Sequence, residues 1–141
     1  MLLSNNEEIR AVRITVTGDF EGISLDRTQL LQSLYTTIDC RYVEVVQPTE
    51  TICLWVDEEG LLNRSDPNLL ATLLAAELGS FGQVLRGTVV VTGGSDGAGD
   101  TLPLSDQDLR LLEDIVDRIS GTEEGQQVSA VARSNVCTID A

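Results

Sequence analysis

Gly87-Thr88-Val89-Val90-Val91-Thr92-Gly93-Gly94 is the stretch whose reading decides the fold. Its β-branched residues run without a polar interruption and are bounded by glycine on both sides. A run this short and this uniformly apolar is a strand buried on both faces, at the centre of a sheet. A central strand needs neighbours, and two hairpins supply them. Ile9 to Thr17 reads as a strand because Ile14 and Val16 alternate with Arg13, Thr15 and Thr17; Gly18-Asp19 marks a turn, and Phe20 to Leu25 returns. Arg41 to Val46 and Thr51 to Asp57 form the second pair, joined through Gln47-Pro48-Thr49-Glu50 and closed by the charged turn Asp57-Glu58-Glu59-Gly60.

Helices fill the gaps. Asp26 with Gln29 resembles a capping box, and Leu30, Leu31, Leu34 and Ile38 recur on one face of a helix over residues 27 to 38. Asp66-Pro67 signals a second start, with Asp as cap and Pro at the first helical position. The following Leu- and Ala-rich segment reaches Leu78, and Gly79 stands where a stop belongs. Ser105 with Asp108 caps a last helix whose buried stripe is Leu109, Leu112, Val116 and Ile119. The expectation is a single α+β domain over residues 9–119, built on a mixed, mostly antiparallel sheet of about five strands in the order ββαββαβα, with helices packed on one face. Residues 1–8 read as a polar N-terminus and 120–141 as a linker and tail, disordered or held in an oligomer contact. Val128 to Val131 would add a strand to a second subunit's sheet, which makes a homodimer one expectation.

Composition restricts the chemistry. The 141 residues carry 23 acidic and nine basic side chains, for a net charge of −14. All nine basic residues are arginine, spread singly, so direct nucleic-acid or anionic-membrane binding is not expected. Histidine and lysine are absent. Their absence removes Ser-His-Asp and Cys-His catalysis, His-ligated zinc, Schiff bases and the lysine of phosphate loops. Cys40, Cys53 and Cys137 are too widely spaced for a C-x-x-C site, and the first two sit beside apolar runs as small hydrophobes. No secretion signal and no membrane-length apolar segment is read, which leaves the cytoplasm as the expected location. A non-catalytic domain without a cofactor follows as the expectation.

Three blocks resemble a known family: Leu54-Trp55-Val56-Asp57-Glu58-Glu59-Gly60, Pro67-Asn68-Leu69-Leu70-Ala71-Thr72-Leu73-Leu74, and Gly87-Thr88-Val89-Val90-Val91-Thr92-Gly93-Gly94 before an acidic glycine loop. In that order they are similar to the domain of unknown function 3846, over roughly residues 9 to 104 by the order of elements. The resemblance implies a bacterial or phage protein, an accessory of mobile DNA rather than a housekeeping enzyme. It maps no catalytic residue.

Three candidate sites remain. Gly93, Gly94, Asp96, Gly97, Gly99 and Asp100 form a glycine-rich loop after a strand, the place where phosphates are cradled. Its spacing matches neither dinucleotide nor phosphate-loop patterns, and such glycines ordinarily mark only a connecting loop. Asp57, Glu58, Asp96 and Asp100, with Glu59 beside them, offer hard oxygen ligands for a divalent cation, although charged turns are ordinarily just solvated. Asp106, Glu113, Asp114 and Asp117 line the outer side of the last helix. Glu113 and Asp117, one turn apart, place carboxylates about 6 Å from each other. The row could face a basic protein, in its sharpest form by imitating a DNA backbone, or serve only solubility. Trp55 shares a strand face with Cys53 and Asp57, which means either that this strand is buried on both sides or that the indole is partly exposed.

Overall fold

The computed structural model describes residues 8–80 and 82–121; the readings made for the first seven residues, for Val128 to Val131 and for Cys137 lie outside them. Five strands, β1 (Glu8–Ile14), β2 (Phe20–Asp26), β3 (Val43–Thr49), β4 (Ile52–Asp57) and β5 (Val89–Gly93), make one sheet in the order β2-β1-β5-β4-β3. Three α-helices, α1 (Leu30–Ile38), α2 (Leu69–Glu77) and α3 (Asp106–Ser120), complete the expected ββαββαβα order. The class is α+β with an open sheet.

β5 is the central strand and is buried along its whole length, with Val12 and Ile14 of β1 paired to Val91 and Val89, and Ile52 and Leu54 of β4 to Gly93 and Val91 on the other side. All neighbouring strands are antiparallel rather than mixed. The cause is the connection from β4 to β5, which returns to the end of the sheet it left. Its two limbs are clamped together there: Pro67 bridges Arg86, Asn68 N–H donates to the Leu85 carbonyl (2.7 Å), and Gly87 N–H donates to that of Asp66 (2.8 Å).

The helices occupy both faces, a correction to the one-face expectation. Val12, Ile14, Ile52, Leu54, Val56, Val89 and Val91 pack under α2 and α3 through Leu70, Leu74, Leu112 and Ile115. The alternate residues Ile9, Ala11 and Val90 pack under α1 through Leu34 and Ile38. β5 is buried at every residue and has no solvent face to spare, so each side of it requires cover. Burying each such aliphatic side chain is worth roughly 1.5–3 kcal/mol. Leu31, expected in the α1 stripe, faces water instead.

Local chemistry sets the helix ends. Asp26 caps the 3-10 turn Arg27–Gln29 that leads into α1, accepting from Thr28 N–H (2.9 Å). The reciprocal bond of the capping box goes elsewhere: Asp26 N–H donates to Ser33 Oγ rather than to Gln29. α2 begins two residues later than Asp66-Pro67 implied, because Asn68 is the cap. Its Oδ1 accepts from Ala71 N–H (3.1 Å) while Nδ2 donates to the carbonyls of Ile14 (2.9 Å) and Gly87 (2.8 Å). A buried amide that satisfies three backbone groups outcompetes a surface Asp. β3 runs on through Pro48, tolerable because β3 is an edge and needs no outward amide; the register shifts between Val46 and Thr49. Ser105 Oγ caps α3 through Asp108 N–H (3.0 Å), as expected, and the Arg10 guanidinium holds the Leu104 carbonyl at the helix entry (2.8 Å).

Candidate functional site

The glycine-rich loop is closed by its own backbone. Ser95 bridges Thr101, Asp96 N–H donates to the Asp100 carbonyl (2.9 Å), and Gly99 turns with φ +88°. The Asp96 carboxylate accepts from Ala98 N–H (2.8 Å) and Asp100 N–H (3.0 Å), which occupies one of its oxygens with the tip of the turn. Gly93 and Gly94 have a packing reason. A Cβ at Gly93 would stand 2.5 Å from the Pro103 carbonyl oxygen, and one at Gly94 would overlap the Glu50 carbonyl oxygen. Gly97 meets nothing. Between these strands and the start of α3 lies a groove of about 410 Å³ lined by Gly93, Gly94, Ser95, Ser105 and Asp108; Asp96 and Asp100 are not part of its wall.

The four carboxylates read as a cation site divide between opposite ends of β4. Ile52 pairs with Gly93 while Asp57 lies at the other terminus of the strand, where β5 begins. Five residue steps separate those ends by about 17 Å. One ion therefore cannot bridge Asp57 and Glu58 to Asp96 and Asp100. Among the described residues no group of three or more Cys, Asp or Glu is gathered as a metal would require. Asp57 has a structural task instead: Oδ1 accepts from Glu59 N–H (2.8 Å) and Oδ2 from Asn63 Nδ2 (3.1 Å).

That end of the sheet carries what the sequence reading missed. Leu61 and Leu62 are 75% and 76% exposed, and with Tyr42, Glu58, Glu59 and Arg64 they line a groove of about 870 Å³. A second groove, of about 320 Å³, shares Glu58 and Leu61 and adds exposed Val84. The available signal was an adjacent leucine pair in a loop with no helical or strand period to bury it.

On α3, Leu112, Ile115 and Ile119 are buried and Leu109 and Val116 partly so, which leaves Asp106, Glu113, Asp114 and Asp117 exposed as the stripe predicted. Asp106 is paired with Arg10 (2.6 Å). Arg118, near the other end, reaches Glu77 of α2 (3.5 Å). Glu113, Asp114 and Asp117 form no ion pair among the described residues, and Arg110 shares their side of the helix.

The displaced ionisations belong to residues that line none of the grooves described above. Hydrogen bonding to the Thr28 hydroxyl and backbone holds Asp26 below its usual range. Burial, reinforced by the Asp57 charge, pushes the Cys40 thiol up to about 11, and burial raises Cys53 as well. Both thiols are thereby made less reactive. No helix among the described residues is long and apolar enough to cross a membrane.

In a comparison with known proteins, no curated protein and no solved structure matches the chain. The sequence pattern of one family does match, over residues 3–119. The match takes in all five strands and nearly all of α3, which the three resembling blocks had left out. The chain belongs to the family described as Domain of unknown function (DUF3846).

Proposed function

We propose that this domain is a non-catalytic binding module that acts on another protein through the acidic outer face of α3. One observation carries the reading. Among the described residues Glu113, Asp114 and Asp117 are exposed together without an ion pair, while Arg10 and Arg118 at either end of the helix are committed to Asp106 and Glu77. Unscreened like charge of this kind attracts a basic surface. With Asp106 neutralised and Arg110 beside the row, three carboxylates remain, so a short acidic contact is favoured over an extended imitation of DNA. DNA mimicry is the narrower form of the same reading and rests on Glu113 and Asp117. The absence of His and Lys and the upward displacement of the Cys40 and Cys53 thiols support a role without catalysis. A bacterial or phage cytoplasm, with service to mobile DNA, is the part of the proposal that rests on the family.

The test compares the wild-type chain with Glu113→Gln/Asp114→Asn/Asp117→Asn as bait for host proteins at low and high salt. A basic protein should be retained by the wild type, released by salt as counter-charges are screened, and lost by the triple variant at unchanged melting temperature. Equal, salt-insensitive retention by both baits overturns the proposal.

The alternative, a small ligand or divalent cation at the acidic glycine loop, draws support from the groove beside Gly93 and Gly94. It requires Ca²⁺, Mg²⁺ or a nucleotide to raise the melting temperature, and Asp96→Ala/Asp100→Ala to abolish the rise. A flat response to all of them removes it.

A further inference from the structure

We infer that the Leu61-Leu62 loop is the self-association surface of this domain, where a second copy of the chain docks about a two-fold axis. The leucines are held out in water by a specified loop. Asn63 N–H donates to the Glu59 carbonyl (2.7 Å), Ser65 N–H to that of Gly60 (2.9 Å), and Asp57 ties the loop base through Glu59 and Asn63. Arg64 is held at φ +57°, a left-handed conformation that disfavours a residue with a Cβ. A chain that accepts strain to fix two exposed leucines has fixed them for a contact. Tyr42 and Val84, 52% and 55% exposed, continue the apolar surface through the two grooves that share Glu58 and Leu61. Patches of this kind, rimmed by charge, mark interaction sites.

Charge identifies the occupant. Arg41, Arg64 and Arg86 stand here against Glu44, Asp57, Glu58 and Glu59, so the patch carries almost none of the net charge of −14. Two copies can meet at this surface without stacking their acidic faces. Arg41 is paired with Glu59 (3.2 Å), but Glu58 and Arg64 form no ion pair among the described residues. They stand three residues before and three residues after Leu61. In a two-fold contact any pairing of one residue with another on the second copy occurs twice, once in each direction. Leucines at the centre then bring each Glu58 to the other copy's Arg64, twice over. This inference is independent of the α3 proposal, because the two surfaces share no residue.

Sedimentation velocity over a concentration series tests it. The wild type should dimerise. Leu61→Asp/Leu62→Asp should be monomeric with an unchanged circular dichroism spectrum, since both side chains are already in water. Glu58→Arg alone and Arg64→Glu alone should each weaken the dimer at least about tenfold, and the double exchange Glu58→Arg/Arg64→Glu should restore it. The triple α3 variant should dimerise as the wild type does. A wild type that stays monomeric to its solubility limit, a dimer indifferent to the leucine changes, or a double exchange no better than the single ones each overturns the inference. Dimerisation lost only in the α3 variant reassigns the contact and overturns it too.

Discussion

Trp55 Nε1 donates to Thr92 Oγ1 at 2.9 Å, from β4 to β5, and the Thr92 hydroxyl donates in turn to the Gly93 carbonyl at 2.9 Å. Thr92 is fully buried, the one polar residue in a strand of valines and glycine, and the indole is what makes that tolerable. The relay also explains how Trp55 is both partly exposed and structurally engaged. Thr92→Val should leave the indole N–H without an acceptor and destabilise by about 1–3 kcal/mol, while Thr92→Ser retains the hydroxyl and costs less. Urea unfolding followed by the fluorescence of the single Trp measures both. Equal stability of the valine and serine variants would rule the relay out.

Asn68 satisfies three backbone groups at zero exposure, joining β1, the start of β5 and the first turn of α2. Asn68→Asp keeps the cap acceptor but cannot donate to the Ile14 and Gly87 carbonyls when ionised, and it buries a charge among them. Asn68→Ala should lose about 2–4 kcal/mol from the lost cap and stranded carbonyls. Asn68→Asp should lose more at neutral pH than in mild acid, where protonation returns one donor. A thermal-melt series over pH decides; an aspartate variant at least as stable as the alanine variant at pH 7 contradicts the role given to Nδ2.

Gly93, at the end of β5, and Gly97, in the loop that follows, have opposite requirements. Gly93→Ala drives a methyl into the Leu102 and Pro103 carbonyls, 2.8 and 2.5 Å away, and Gly94→Ala meets Glu50 in the same manner. Both should destabilise by roughly 1–3 kcal/mol, as overpacking does. Gly97→Ala meets no atom and should be neutral within about 0.5 kcal/mol. Chemical denaturation of the three variants checks the pattern. Neutral Gly93→Ala would return these glycines to the ligand reading.

The contrast between β5 and Asn68 shows what a sequence makes legible. A run with no polar face announces its burial, and with it the central position of β5; followed through, it also demands helices on both faces, a consequence the one-face expectation did not draw. Periodicity likewise exposed the α3 stripe, because Leu112 and Ile119 recur at helical spacing. Asn68 was hidden because its value depends on carbonyls 54 and 19 residues away, and local signals favoured the neighbouring Asp66-Pro67. The separation of the four carboxylates read as one cation site was hidden for the same reason. Asp57 and Asp96 share a composition but stand at opposite ends of a strand, and only pairing register separates them. Leu61 and Leu62 could be noticed as apolar residues without a period, yet their exposure follows from loop hydrogen bonds that no short window displays.

Cys40 and Cys53 provide a prediction on reactivity and pH. Burial and the Asp57 charge raise the Cys40 thiol from 9.0 to about 11, and burial raises Cys53. In a Cys137→Ala chain at pH 8, Cys40 of the folded protein should react with a disulfide reagent about 100-fold more slowly than in the same chain in urea, and Cys53 should also be slowed, since the thiolate is the reacting species. Asp57→Asn should speed Cys40 only partly, because burial is the larger cause. The sign for stability follows from proton count. Between pH 9 and 11 the unfolded chain has released the Cys40 proton while the folded chain retains it, so the contribution is intact below 9 and is lost as pH rises through that window. Replacing Cys40 by Ser should flatten that part of the alkaline limb. Reaction at the unfolded rate, or an unchanged alkaline slope in Cys40→Ser, would show that the Cys40 thiol is open to solvent.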